Sequence, residues 1–164
     1  MQNEYLAVVD EHDQILDSRL RPEVHALQLR HRAVHILVFN QLGQLFLQKR
    51  SMKKDLHKGL WDTSAAGHVD YNENYDCSAK RELYEELGIN APLTTLFKLS
   101  ATAELGMEFI QVYSCQHNGP FVLAADEIDE GAWHSVTAVS ERVMRNDPSL
   151  TLTFKRIWEK YLSC

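Results

Sequence analysis

Three glutamates, Glu82, Glu85 and Glu86, crowd the stretch RELYEELG. At about 100° per residue they fall within roughly a 100° arc of a helix, so three carboxylates share one small volume. Left uncompensated, like charges three and four residues apart cost about a few tenths of a kcal/mol each in water, and more in a cleft. A divalent cation turns that cost into binding. Hard ions such as Mg²⁺ or Mn²⁺ prefer oxygen ligands, keep several waters and take substrate phosphates into their coordination shell. The only dense basic cluster, Lys49, Arg50, Lys53, Lys54 and Lys58, lies shortly before these acids and offers phosphate clamps. Arg50 stands out, because a guanidinium grips two oxygens, and Lys54 joins it.

A charge-rich helix face on its own is commonly just solvated surface. What decides is the set of elements that positions it. Ala79, Leu83 and Leu87 at i, i+4 and i+8 make an apolar stripe, Asn72 or Asn74 can cap the start, and Gly88 suits a left-handed end. The pattern predicts a helix over roughly Tyr75 to Leu87. Upstream, YLAVVD and QILDSRL flank a polar EHDQ turn and read as an N-terminal hairpin, followed after Pro22 by a short helical segment. HRAVHILVFN and QLFLQKR, parted by a Gly-containing turn, read as a longer hairpin. KKDLHKGLWD is a basic loop. LTTLFKLSA, EFIQVYSCQ and GAWHSV read as strands, with helices near TAVSERVM and across LTFKRIWEKYL. The class is α/β or α+β, a mixed sheet with helices and its site in loops.

The 164 residues suit one domain, and 45% hydrophobic with 24% charged residues are those of a soluble globular chain. No linker, low-complexity tract or repeat divides it. A formal net charge of −6 and a pI near 5.7 speak against a nucleic acid polymer as partner, which needs a basic footprint. No leader pattern opens the chain, and the run HILVF is far too short to span a bilayer, so a cytoplasmic protein without membrane attachment is expected. Cys77, Cys115 and Cys164 are odd in number and widely spaced, which favours reduced thiols.

The spacing around the helix is more telling. Gly67, five residues, Glu73, seven residues and then RELYEELGI satisfy G-x5-E-x7-R-E-U-x-E-E-x-G-U at every fixed position, with Leu83 and Ile89 at the apolar places. A chance match is on the order of one in a hundred million per position. This is the Nudix box, and the chain resembles the Nudix hydrolases over most of its length. The resemblance implies an α/β/α sandwich around a mixed β-sheet and metal-assisted hydrolysis of a diphosphate bond in a nucleoside diphosphate linked to another group. It makes Glu82, Glu85 and Glu86 the metal ligands, with the backbone carbonyl of Ala66 as another, and Mg²⁺ the cofactor, Mn²⁺ substituting. Arg81 and Glu73 become the ion pair that braces loop and helix around Gly67. The group that activates water is then either a box glutamate, Glu85 or Glu86, or a carboxylate in AADEIDEGAW, where Glu127 is preferred over Glu130.

The flanks, LRHRAVHILVFNQLGQLFLQKRSMKKDLHKGLWDTSAAGH, are also similar to isopentenyl diphosphate isomerase. That likeness puts His25, His31, His68 and Glu108 near the isomerase's metal-site positions and Trp133 near its active-site tryptophan. Against an isomerase stands Ala66, where that enzyme keeps a catalytic cysteine. An alanine neither donates nor accepts a proton. Trp61 and Trp133 could stack on a base or isoprenoid, but packing in the core is the favoured role for each. A non-catalytic nucleotide-binding domain is the remaining alternative. The small-molecule diphosphate stays unspecified, and the N-terminal hairpin offers an edge for a homodimer.

Overall fold

The computed structural model describes residues 4–164. Its first element is the expected antiparallel hairpin, β1 (Tyr5–Val9) and β2 (Ile15–Leu20), which runs into a short helix α1 (Arg21–Ala26) with Pro22 in the first turn, where its missing N–H is harmless. Leu6, Val8 and Val24 form a small core between them.

A seven-stranded mixed sheet follows: β3 (His31–Phe39), β4 (Leu45–Arg50), β5 (Trp61–Asp62), β6 (Ala65–His68), β7 (Thr94–Leu99), β8 (Glu108–Gln116) and β9 (Ile128–His134). The order is β5-β4-β3-β8-β7, with β6 also on β3 and β9 also on β4. β3 and β8 are parallel in unbroken register from His31↔Glu108 to Phe39↔Gln116. β3 is apolar along most of its length because both its faces are covered.

The segment 31–50 forms a hairpin only at its base, Phe39↔Leu45. Beyond that pair the strands part, β3 taking β6 as partner and β4 taking β5 and β9. β5 and β6, of two and four residues, are too short to announce themselves, and the alanine-rich β6 has weak strand propensity.

Helix α2 (Tyr75–Leu87) covers one face, burying Ala79, Leu83 and Leu87 against Val34, Ile36, Val38 and Phe46. On the other face α3 (Val136–Met144) and α4 (Leu152–Ser163) bring Val139, Phe154, Ile157 and Trp158 onto Ala33, Leu37, Leu45 and Leu47. The alternation along β3 sends even positions to α2 and odd ones to α4, which is the expected sandwich. Truncating Leu83 to alanine in such a layer would cost about 2–5 kcal/mol. The hairpin is fastened as well. The carboxylate of Asp13, at its turn, accepts from Arg32 Nε, Tyr75 OH and Lys98 Nζ, each at 2.7 Å.

Candidate active site

Helix α2 starts at Asn74, whose side chain accepts from the Cys77 N–H at 2.8 Å, and stops at Gly88 with φ 71°. Between these caps the helical period turns the glutamates to different depths. Glu86 is buried at 4% exposure, the Glu82 side chain is 12% exposed and that of Glu85 is 55% exposed. The three carboxylates therefore run from floor to rim.

Arg81 grips the outer two, Glu82 and Glu85, together with Glu73. Its Nε and Nη2 fork onto Glu73 Oε2 and Oε1, both at 2.8 Å, while Nη1 reaches Glu82 Oε1 at 2.8 Å and Glu85 Oε2 at 3.2 Å. Nη2 also donates to the His68 carbonyl at 3.2 Å. Glu73 in turn accepts from Ser78 Oγ and the Asp70 N–H, so the loop before α2 is tied to its first turns. Gly67 supplies room: a Cβ there would meet the Glu82 carboxyl at 2.1 Å. Ala66 meets the site through its N–H, which donates to Glu86 Oε1 at 3.2 Å.

Burial raises Glu82 to about 7, against the hydrogen bond with Glu86 and the charge of Arg81. Burial, then repulsion from Glu82, lifts Glu86 well above the ordinary carboxylate value. A hydrogen bond between the two carboxyl groups needs a proton on one of them. A shared proton between buried acids marks a place where a cation can stand in its stead, and these oxygen donors suit Mg²⁺ or Mn²⁺.

The basic loop is built into this wall. Arg50 donates through Nε and Nη2 to the Leu56 carbonyl, at 3.2 and 3.0 Å, with Nη1 3.8 Å from Asp62. Its guanidinium thus holds the loop's own fold. Lys54 Nζ pairs closely with Glu127 Oε2, and the Ser51 N–H donates to the Glu127 carbonyl at 2.9 Å. The turn carrying Glu127 is anchored to α2 by the Ala124 N–H on the Glu86 carbonyl at 3.0 Å.

Next to the box lies a second cluster. Ligand atoms of His25, His31 and His68 lie within 4.8 Å of one another. Register explains why: β3 faces β8 at His31↔Glu108 and β6 at Ala33↔His68. Glu108 Oε2 is 2.9 Å from His68 Nε2 and 3.4 Å from His31 Nε2. The Leu29 carbonyl accepts from His31 Nδ1 at 2.8 Å, so in the neutral ring Nε2 carries the lone pair. Among the described residues that buried Nε2 makes no hydrogen bond of good geometry, its near neighbour being Glu108 Oε2. Burial, then His68 and His31, push His25 down to about 4, which keeps it a neutral donor at physiological pH. Burial opposes ionisation of Glu108, yet its contacts with His31 and His68 outweigh this and hold it well below the ordinary value.

The NUDIX domain family profile matches residues 29–153, which take in the whole seven-stranded sheet, α2 and α3. The chain belongs to the Nudix family. It is 37% identical over 131 residues to an uncharacterized Nudix hydrolase of Yersinia pestis, covering 79% of this chain and 72% of that one. It is 30% identical over 160 residues to an isopentenyl-diphosphate Delta-isomerase of Serratia proteamaculans, covering 94% and 89%. The crystal structure of DR0079 from Deinococcus radiodurans superposes with a TM-score of 0.85 at 24% identity over 96% of this chain and 98% of that one, a likeness of fold. The protein is thus a Nudix-type hydrolase by family.

Sequence reading passed over Gln48, a buried β4 residue whose Nε2 lies 2.7 Å from Glu86 Oε1. The sequence carried no signal for it, because Gln48 reads as the first of the polar run Gln48, Lys49, Arg50. Both tryptophans pack: Trp133 sits edge-on to Phe46 at 5.3 Å, and Trp61 lies edge-on to His134 at 5.7 Å.

Proposed function

We propose that this Nudix protein hydrolyses a diphosphate bond in a small molecule, a nucleoside diphosphate linked to another group or a related compound, using Mg²⁺ with Mn²⁺ as a substitute, and that residues 1–164 act as one such domain in the cytoplasm. The observation that carries the reading is the graded depth of Glu86, Glu82 and Glu85, with Arg81 gripping the outer two. Every box glutamate is present, which argues against a purely binding domain.

A bound divalent ion would neutralise the diphosphate oxygens and acidify a water. Glu82, Glu85 and Glu86, with the backbone of Ala66, are the groups to hold it. Arg81 and Glu73 keep the helix and the 67–73 loop in register, and Gly67 lets Glu82 lie flat against the strand. Lys54 meets the substrate's phosphates from the basic loop, with Arg50 bracing that loop beneath it. Glu127 accepts the proton of the attacking water once the phosphates draw Lys54 away from it; Glu85 and Glu86 are the alternative bases.

A second reading, isopentenyl diphosphate isomerase, is favoured by one observation, the cluster of His25, His31, His68 and Glu108. Ala66 lacks the proton that isomerisation must move, so we assign the cluster to a second cation in a hydrolase. Its imidazole nitrogens suit a transition metal better than Mg²⁺. The test is a product-resolved incubation with nucleotide sugars, dinucleotides, nucleoside diphosphates and isopentenyl diphosphate. Hydrolysis of at least one compound is expected, with no dimethylallyl diphosphate. Isomer formation without hydrolysis would reverse the assignment.

A further inference from the structure

We infer that Gln48 is the positioning residue that makes Glu86 a one-oxygen metal ligand; this rests on the metal-dependent reading above. Gln48 is 4% exposed on β4, directly after the core residues Leu45, Phe46 and Leu47. Its Nε2 donates to Glu86 Oε1 at 2.7 Å and to the Ser64 carbonyl at 3.2 Å. The Ser64 carbonyl can only accept, so the amide must present its NH2 group on this side. Ser64 is itself immobilised: its hydroxyl donates to the Phe46 carbonyl and accepts from the Val38 N–H at 2.8 Å. A chain of fixed groups thus runs from β3 and β4 through Ser64 and Gln48 to the carboxylate.

The second donor to Glu86 chooses the same atom. The Ala66 N–H also reaches Oε1, at 3.2 Å, and among the described residues no N–H is directed at Oε2. With Oε1 held by two N–H donors, Oε2 is the oxygen left for ligation. An amide suits this duty better than its neighbours in size. Glutamate would add a like charge to the buried set, and methionine or leucine would leave Oε1 half satisfied and the side chain free to rotate. Partners that orient a ligand commonly alter metal affinity by about 10–100-fold when removed.

The experiment is calorimetric Mn²⁺ binding to the full chain, following the site that Glu86→Gln abolishes or weakens, in wild type, Gln48→Met, Glu86→Gln and the double variant. Gln48→Met is expected to weaken that site about tenfold or more in the wild-type background and to have no further effect once Glu86 is Gln, because Gln48 acts through Glu86. Gln48→Asn keeps the amide but withdraws it by one methylene, and the same loss is expected, which covers a Gln48→Met chain that fails to fold. Unchanged Mn²⁺ affinity in folded Gln48→Met or Gln48→Asn, or an equal loss in both backgrounds, would overturn the role of Gln48 while leaving the metal reading standing. Wild-type Mn²⁺ binding that is indifferent to Glu86→Gln would overturn both.

Discussion

The Glu82 carboxylate rests directly on the Cα of Gly67. A methyl group at position 67 would lie 2.1 Å from Glu82 Cδ and 2.2 and 2.6 Å from its oxygens. The glycine is there for room: the left-handed backbone that favours glycine elsewhere plays no part at this position. Gly67→Ala must therefore push Glu82 aside. The expected result is a rate lower by about 10²-fold, as for a catalytic group displaced by about 1 Å, with about 1–3 kcal/mol of overpacking seen as a lower Tm. Wild-type kcat in Gly67→Ala would mean that Glu82 is not needed where it lies.

Arg81 satisfies five acceptor atoms at once, two of them on Glu73, which a lysine cannot do. Arg81→Lys keeps the charge and loses the fork. We expect a destabilisation of about 1–3 kcal/mol, below the figure for a fully buried pair because these side chains remain about a quarter exposed, and a fall in rate. Denaturant unfolding together with kcat checks it. If Arg81→Lys matched wild type in both, charge alone would explain the residue.

The raised Glu82 and Glu86 impose a sign on pH dependence. A carboxyl whose folded pKa lies above its unfolded value favours folding fully below the unfolded value, near 4.5, and loses that contribution as pH rises through the folded value, about 7 for Glu82. Metal-free wild type should therefore lose stability relative to Glu86→Gln between about pH 5 and 7. Added Mg²⁺ should restore it in wild type alone. Tm measured with chelator across that range is the check, and a pH-independent difference between the two chains would refute the shared proton.

What the sequence made legible was local. The stripe of Ala79, Leu83 and Leu87 and the caps at Asn74 and Gly88 lie within one helix, so α2 could be read to the residue. The divergence of β3 and β4 could not, because it depends on β6 and β9 arriving from later in the chain. Depth was hidden for the same reason. A helical wheel puts Glu82, Glu85 and Glu86 on one arc, but only docking of β6 decides that Glu86 is sealed and Glu85 open. Engagement of Arg50 by the Leu56 carbonyl, six positions on, could not be read either, because no spacing rule predicts it. The histidines came within reach by resemblance, and the His31↔Glu108 register is what assembles them.

The pairing of Lys54 with Glu127 separates two roles for that acid. If Glu127 is the base, Glu127→Gln should lower kcat by about 10²–10⁴-fold with an unchanged metal requirement, and the loss should shrink as pH rises and hydroxide replaces the assisted water. If it ligates an ion, raised Mn²⁺ should restore the rate. Lys54→Met should raise KM for the diphosphate substrate. A Glu127→Gln enzyme equal to wild type at every pH and Mn²⁺ concentration would move the base to Glu85 or Glu86.

The most direct test of metal-dependent hydrolysis at the box is the rate of wild type, Glu85→Gln and Glu86→Gln on the best substrate of the diphosphate panel, titrated with Mg²⁺ and then with excess chelator. The account predicts turnover that follows Mg²⁺ in wild type, vanishes with chelator, and falls by orders of magnitude in both variants while each remains folded. Full wild-type turnover in chelator, or near wild-type rates in both folded variants, would contradict it.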